Sequence, residues 1–371
     1  MIPVYRPYHD EKEIEYLREV IESGWGGMGP KTKEFETRFG HYIGSKHALG
    51  LNSATAALHL ALMCIGVKDM EVITPAMTFV STNHAILYNG GRPVFCDVES
   101  ENLNITADEI AKLITQKTKA IIVVHYGGYA CDMDPIMALA KEHKLTVIED
   151  CAHACGGEYK GRKLGSIGDF GSFSFQAVKN LATGDGGMLT TNNDEWADRI
   201  KKLRWVGISK DTFDRGAGNS YDWYYDVVEP GFKYHMNDII AALGLAQFEK
   251  LDWMNDKRRC WSDRYREFFT GNPAIHTPPV RDYMKPACHN FVIQVDNRDE
   301  LRSKLMDKGI TTGVHYYPNH LFEMYKKYYR ELPVTESIWK KLVTLPLFPD
   351  LKSDEFSLIA DKIAHHLTTG L

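Results

Sequence analysis

The chain has 371 residues, 44% hydrophobic and 25% charged, with a formal net charge of −5; this is length enough for two lobes around a large core. The charges form no Lys/Arg block, which argues against phosphate-driven nucleic-acid binding and against a polybasic membrane patch. No apolar run approaches the roughly 20 residues that span a bilayer, and the opening segment lacks an apolar h-region, so the reading is a cytoplasmic protein without a signal peptide.

In chain order, short β-rich runs alternate with helical patterns, which predicts a parallel sheet covered by helices. The predicted strands are "HALGLNS" (47–53), "EVITPA" (71–76), "RPVFCDV" (92–98), "KAIIVVHY" (119–126), "LTVIEDC" (145–151), "FGSFSFQ" (170–176) and "GGMLTT" (186–191). Helices are predicted at 55–66 and 134–144. Runs such as "AIIVV" are apolar without alternation, as strands buried on both faces should be. Past residue 245 the pattern becomes one or two long amphipathic helices. A strand (289–296), a helix (299–308), a strand (311–317) and a terminal helix (353–368) follow. We therefore predict a large domain over 1–245 and a smaller C-terminal α/β domain over 246–371.

Four features of the first domain share one chemistry. A strand runs into Ser53, Ala54 and Thr55 at a helix start, where free N–H groups and the helix dipole suit a phosphate; Ser174, in a later strand, could add a hydroxyl. Phe79 follows a strand end and could stack on a flat heteroaromatic ring. Asp150 ends an apolar strand, the edge at which open α/β sheets bind ligands, and a buried carboxylate there needs a cationic partner. His153 could line the same cleft. Lys179 precedes the glycine-rich "NLATGDGG" (180–187), a turn that could bring its amine to an open cleft as a nucleophile. Taken singly, these residues have ordinary readings: a helix cap, a core aromatic, a turn cap, a structural histidine, an exposed lysine. Together they offer an amine for an aldehyde, a carboxylate for a ring nitrogen, a phosphate cup and a stacking face, the set that pyridoxal 5′-phosphate requires. The seven cysteines are odd in number and scattered; Cys151 and Cys155 lack a second pair to complete a zinc site, and no metal is predicted.

These residues lie in longer motifs that carry a resemblance over nearly the whole chain. "SGWGGMGPKTKEFE" (23–36), "NSATAALHLAL" (52–62), "IEDCAHACGGEYKGRKLGSIGD" (148–169), "FSFQAVKNLATGDGGML" (173–189) and "GFKYHMNDIIAALGLAQ" (231–247) resemble the sugar aminotransferases of the DegT/DnrJ/EryC1/StrS family. The pattern is most similar to members acting on nucleotide-linked 4-keto sugars or UDP-4-keto-pentose. The resemblance implies the aspartate-aminotransferase (type I) α/β fold with bound pyridoxal 5′-phosphate. It implies Lys179 as the Schiff-base lysine and proton carrier, Asp150 as partner of the pyridine nitrogen, and Phe79 as the stacking ring. It further implies Ala54, Thr55 and Ser174 on the phosphate, with His153 beside the cofactor ring. It also implies a homodimer with shared active sites, "GFKYHMND" entering the partner's site. Lys233 stands there in place of the asparagine of many relatives. Gln176 and Asp185 replace a histidine and a glutamate common in the family.

The reaction implied is transfer of an amino group from an amino acid, L-glutamate or glutamine, to a keto-sugar. Substrate contacts are expected from Trp25 in the 25–30 loop, from "SYDWYYD" (220–226), and from Tyr316, Tyr317 and His320 at the cleft mouth. The alternatives are a small phosphorylated ketone or cyclitol as acceptor, and a non-catalytic regulator with the same fold. A nucleotide-binding oxidoreductase fails because no G-x-G-x-x-G follows the first strand.

Overall fold

The protein is described by a computed structural model over residues 1–209 and 223–369. Helices α1 (Glu11–Glu22) and α2 (Pro30–Ile43) lead into β1 (His47–Leu51), α3 (Ala54–Ile65), β2 (Glu71–Pro75), α4 (Val80–Tyr88) and β3 (Arg92–Cys96). Next come α5 (Ala107–Ala111), β4 (Thr118–Val124), α6 (Met133–His143) and β5 (Thr146–Asp150). A two-residue pair follows, β6 (Glu158–Tyr159) and β7 (Arg162–Lys163), then β8 (Phe170–Ser174), β9 (Gly187–Thr191) and α7 (Asp194–Leu203). The remainder holds α8 (Asp238–Glu249), α9 (Leu251–Phe269), β10 (Met284–Lys285), β11 (Phe291–Gln294), α10 (Arg298–Asp307), α11 (Pro333–Ile338), β12 (Leu342–Leu345) and α12 (Ser353–Thr369).

Seven strands form the main sheet in the order β1-β9-β8-β5-β4-β2-β3. The β2–β3, β2–β4, β4–β5 and β5–β8 pairs are parallel, and β9 runs antiparallel to both its neighbours. Alternate residues of each strand enter opposite layers, as a period of two requires. Ile121, Val123 and Val147 join Phe35, Phe39, Ile136 and Leu245 in one core, while Ala120, Ile122 and Ile148 join Leu58, Leu62, Ile200 and Leu203 in the other. Both faces are covered by helices, which is why these strands read as unbroken apolar runs.

The seven strands predicted for this sheet are all present. The strand expected at 311–317 is not: the segment makes a single bridge, Gly313 to Thr344. The antiparallel partner of β11 is instead β12, in register Phe291 to Leu345. "LVTL" is wholly buried and completes the small sheet's core. His315 and Tyr316, by contrast, turn their side chains toward a cavity of the main domain. The N-terminal residues also reach the C-terminal part, Ile2 bridging Ile310 and Leu347 donating its N–H to the Val4 carbonyl.

The reversal of β9 places the site. Parallel strands would need a crossover to return to the opposite edge, whereas β8 and β9 are joined by a hairpin loop, 175–186, that stays where β8 ends. That edge is the carboxyl end of the parallel strands, and Lys179 sits in the loop. A buried carboxylate braces the neighbouring strand end: Glu149 accepts hydrogen bonds from His125 Nε2 (3.0 Å) and from the N–H groups of Gly165, Ile167 and Gly168 (2.9, 2.7 and 2.7 Å). Burial alone would raise its pKa, but the bonds from His125, Gly165 and Gly168 outweigh this and hold the carboxyl below its ordinary range.

Gly187, the first residue of β9, lies against the start of α3. A Cβ there would come within 2.4 Å of the Ser53 carbonyl carbon and 2.7 Å of the Ala54 nitrogen, both backbone atoms. Gly187→Ala should therefore push the helix start away and destabilise the fold by about 1–3 kcal/mol, read as a lowered denaturant midpoint. An unchanged midpoint would show that α3 is free to shift.

Candidate active site

A cavity of about 400 Å³ opens at the carboxyl edge. Its walls draw on the helix start Ser53–Ala54–Thr55, the turn into α4 (Thr78, Phe79, Thr82), the end of β5 (Asp150, His153) and the β8–β9 loop (Ser174, Gln176, Lys179, Asp185). Tyr5 of the N-terminal segment and His289, His315 and Tyr316 of the C-terminal part close it.

Ser53 caps α3, its hydroxyl accepting from the Ala56 N–H at 3.1 Å. The N–H groups of Ala54 and Thr55 precede the first intrahelical donor, the Ala57 N–H that bonds the Ser53 carbonyl, and are left for a ligand. Ser172 Oγ donates to the Ala54 carbonyl at 3.1 Å, which locks the helix start to β8 two residues before Ser174. Two residues along a strand is one full pleat, so Ser174 faces the same side.

Asp150 is 4% exposed. It accepts only from Thr82 Oγ1 (2.8 Å) and the Ala152 N–H (3.1 Å), and it joins no ion pair among the described residues. Desolvation raises its pKa despite these bonds and the attraction of Lys179. Desolvation also pushes the Lys179 amine down to about 8, Asp150 only partly opposing it. The walls thus hold a carboxylate without a salt bridge and an amine near neutrality, the opposite of how a structural ion pair behaves.

Gln176 and Asp185, the two departures from the family pattern, both line the cavity. Gln176 shapes the lysine turn: its Oε1 accepts from the Val178 N–H at 3.0 Å and its carbonyl from the Lys179 N–H at 2.8 Å. Asn180 anchors the next step, donating to Asn255 Oδ1 (2.7 Å) and the Ala287 carbonyl (2.8 Å). His289 Nδ1 meets Asn180 Oδ1 at 3.0 Å, and its ring stacks between His153 (4.5 Å) and Tyr5 (5.3 Å).

The cavity brings together Ala54, Thr55, Phe79, Asp150, His153, Ser174 and Lys179 from their scattered positions. Phe79 stands at its rim, 59% exposed. Three expected substrate contacts do not line this chain's cavity. His320 is buried away from the cavity, its Nε2 3.1 Å from Glu336 and its ring stacked on Tyr329. Tyr317 packs on Phe322 and Trp339, because the side chain before it, Tyr316, takes the cavity face. Trp25 lies in a separate recess of about 140 Å³ with Met28, Trp205 and His235. Lys233 is outside this chain's own cavity, its Nζ 3.3 Å over the Trp205 ring. Residues 220–222 of the "SYDWYYD" stretch lie outside the described residues.

Tyr5, Thr82, His289 and His315 line the cavity without having been foreseen. Thr82 alone carried a local signal, one helical turn beyond Phe79. The others arrive through the packing of the N-terminal segment and the C-terminal part against the main sheet, which no spacing encodes.

The donor set fits pyridoxal phosphate: an amine whose pKa is lowered to about 8, a buried carboxylate lacking a cation, and a capped helix start with free N–H groups. A family model for DegT/DnrJ/EryC1/StrS aminotransferases matches residues 7–364. The spore coat polysaccharide biosynthesis protein SpsC of Bacillus subtilis (strain 168) is 41% identical over 374 residues, covering 98% of this chain and 96% of SpsC. The aminotransferase TlmJ of Streptoalloteichus hindustanus superposes with a TM-score of 0.94 at 33% identity, covering 100% of each chain. Spr1654 of Streptococcus pneumoniae in its PLP form superposes with a TM-score of 0.93 at 31% identity, covering 100% of this chain and 99% of that one. The chain belongs to the DegT/DnrJ/EryC1/StrS family of sugar aminotransferases and is a pyridoxal-phosphate-dependent aminotransferase of the type I α/β fold.

Proposed function

We propose that the protein transfers the amino group of L-glutamate to the 4-keto group of a nucleotide-linked deoxy sugar, working as a cytoplasmic homodimer with shared active sites. The observation that carries the catalytic assignment is the buried amine of Lys179, lowered to about 8 in a cavity it shares with an unpaired Asp150. Support for the sugar comes from the kinship with SpsC, a polysaccharide biosynthesis protein.

Pyridoxal phosphate, when bound, supplies an electron-withdrawing ring that makes the C–H bond of an attached amine acidic. Asp150, oriented by the Thr82 hydroxyl, would pair with the ring nitrogen and favour its protonated form. The N–H groups of Ala54 and Thr55 and the Ser174 hydroxyl hold the phosphate. Phe79 and His153, which line the same cavity, would hold the ring. Lys179 takes a proton as base and returns it as acid; a pKa near the working pH suits both directions. Lys233, on the segment after Gly231, is assigned to the partner's site.

Lys179→Ala should abolish the visible absorption of the cofactor-loaded protein and reduce turnover by at least about a hundredfold. A variant that kept both would remove the lysine from the mechanism. For the acceptor, a panel of keto-sugar nucleotides, cyclitol ketones and small keto-phosphates with L-glutamate, read by mass spectrometry, should give an aminated nucleotide sugar. Turnover of the non-nucleotide ketones alone would overturn the substrate assignment.

The lowered amine also sets a pH dependence. Only the neutral form attacks an aldehyde, so the rate at which apoprotein captures pyridoxal phosphate should rise with pH and level off above about 8. A rate that kept climbing toward 10.5, the ordinary lysine value, would show that the amine is not desolvated.

A further inference from the structure

Two tyrosines reach the cavity from outside the main sheet, and their hydroxyls differ in what they have left to give. Tyr5 Oη has two partners, Asn290 Oδ1 at 2.7 Å and His315 Nε2 at 3.2 Å. Tyr316 Oη has one among the described residues, His153 Nε2 at 2.8 Å. Which of that pair donates is decided on the far side of the imidazole. The backbone N–H of Gly127 points at His153 Nδ1, 3.3 Å away, and a backbone N–H has no choice but to donate. Nδ1 is therefore the bare nitrogen of a neutral ring, and Nε2 carries the proton.

His153 is also kept neutral by its surroundings: burial first, then the nearby Lys179 and His315, push its pKa well below the usual value. A neutral ring with Nε2–H donates to Tyr316 Oη, so the tyrosine cannot return its own proton along the same line. The Tyr316 ring is fixed as well. Its backbone N–H meets Met77 Sδ at 3.4 Å, its ring lies edge-on to Tyr126 at 6.5 Å and tilted to Phe79 at 6.3 Å, and Tyr126 donates its hydroxyl to the carbonyl of the preceding residue, His315.

We propose that Tyr316 presents its O–H to the cavity as a ligand-orienting donor, polarised by the Gly127–His153 relay, for an acceptor oxygen held beside the Lys179 amine. The inference rests on the cavity being the cofactor and substrate site. Two sources share the required chemistry, a ring oxygen of pyridoxal phosphate and the carbonyl oxygen of the ketone substrate. Tyr316→Phe removes the donor and keeps the ring, so it separates the hydrogen bond from the packing.

The relay can be read without any ligand. In apoprotein labelled with 15N-histidine, the His153 signals, assigned by their loss in His153→Asn, should show the proton on Nε2; a proton on Nδ1 would overturn the proposal whatever the variants do. In Tyr316→Phe, loss of one hydrogen bond to a charged or strongly polar oxygen predicts an effect of about tenfold. If the oxygen belongs to the cofactor, the apoprotein's dissociation constant for pyridoxal phosphate rises by that factor and its visible absorption maximum moves. If it belongs to the ketone, kcat/KM for the ketone falls by that factor while the cofactor constant holds. Neither quantity moving in a variant of unchanged melting temperature would overturn the proposal. Tyr5→Phe, whose hydroxyl is already spent within the protein, should move the melting temperature more than either ligand constant. Wild-type apoprotein that took up no pyridoxal phosphate would defeat the functional reading instead, and the histidine signal would still decide the orientation of the relay.

Discussion

The site depends on one strand running the wrong way. Because β9 opposes its neighbours, β8 returns through a hairpin, and the loop of that hairpin stays at the carboxyl edge of the parallel strands. That loop carries Lys179. The same strand begins at Gly187, whose missing Cβ lets the N-terminus of α3 sit directly on it, and Ser172 of β8 ties the helix start down. The lysine and the phosphate cup are therefore two sides of one joint between a hairpin and a helix cap. Their separation is set by backbone packing, which is close to incompressible, rather than by flexible side chains.

Within that frame, buried carboxylates of similar exposure take opposite roles. Glu149 accepts one imidazole and three backbone N–H bonds, and Asp238 accepts the N–H groups of Gly29, Lys31 and Thr32 together with the Thr32 hydroxyl. Their charge is spent inside the protein, so one braces a strand end and the other caps α2. Asp150, next to Glu149 but on the other side of the strand, accepts two bonds and keeps capacity to spare. An incompletely satisfied buried charge is costly, and here it faces the cavity, where a ligand cation can complete it. The residual demand for a partner, more than burial itself, separates the functional acid from the structural ones.

The parts of this arrangement that were legible in the sequence are those written locally. Unbroken apolar runs identify β4 and β5 because each is buried on both faces. Ser53 before an apolar helix reads as a cap, and it is one. Asp150 and Ser174 stand at strand ends and Lys179 in the loop that follows one, at the edge where topology alone sends ligands. The 311–317 segment failed as a strand because periodicity cannot tell an extended segment that hydrogen-bonds from one that turns His315 and Tyr316 to a cavity. Trp25, Tyr317 and His320 were placed at the cleft by their aromatic character, which packing between elements uses just as readily.

By itself the sequence determined the seven strands of the main sheet, the apolar periodicity that buries the sheet on both faces, and the candidate amine, carboxylate and helix start. These are properties of neighbouring residues, and local sterics and burial are enough to decide them. Tertiary structure alone decided that Tyr5, His289 and His315 share a wall with Lys179, hundreds of residues apart in some pairs, and that Tyr316 rather than Tyr317 faces inward. It also set the proton affinities: the Lys179 pKa moves to about 8 and that of Asp150 rises because the folded walls exclude water from both. Desolvation belongs to the assembled cavity and has no counterpart in any short stretch of chain.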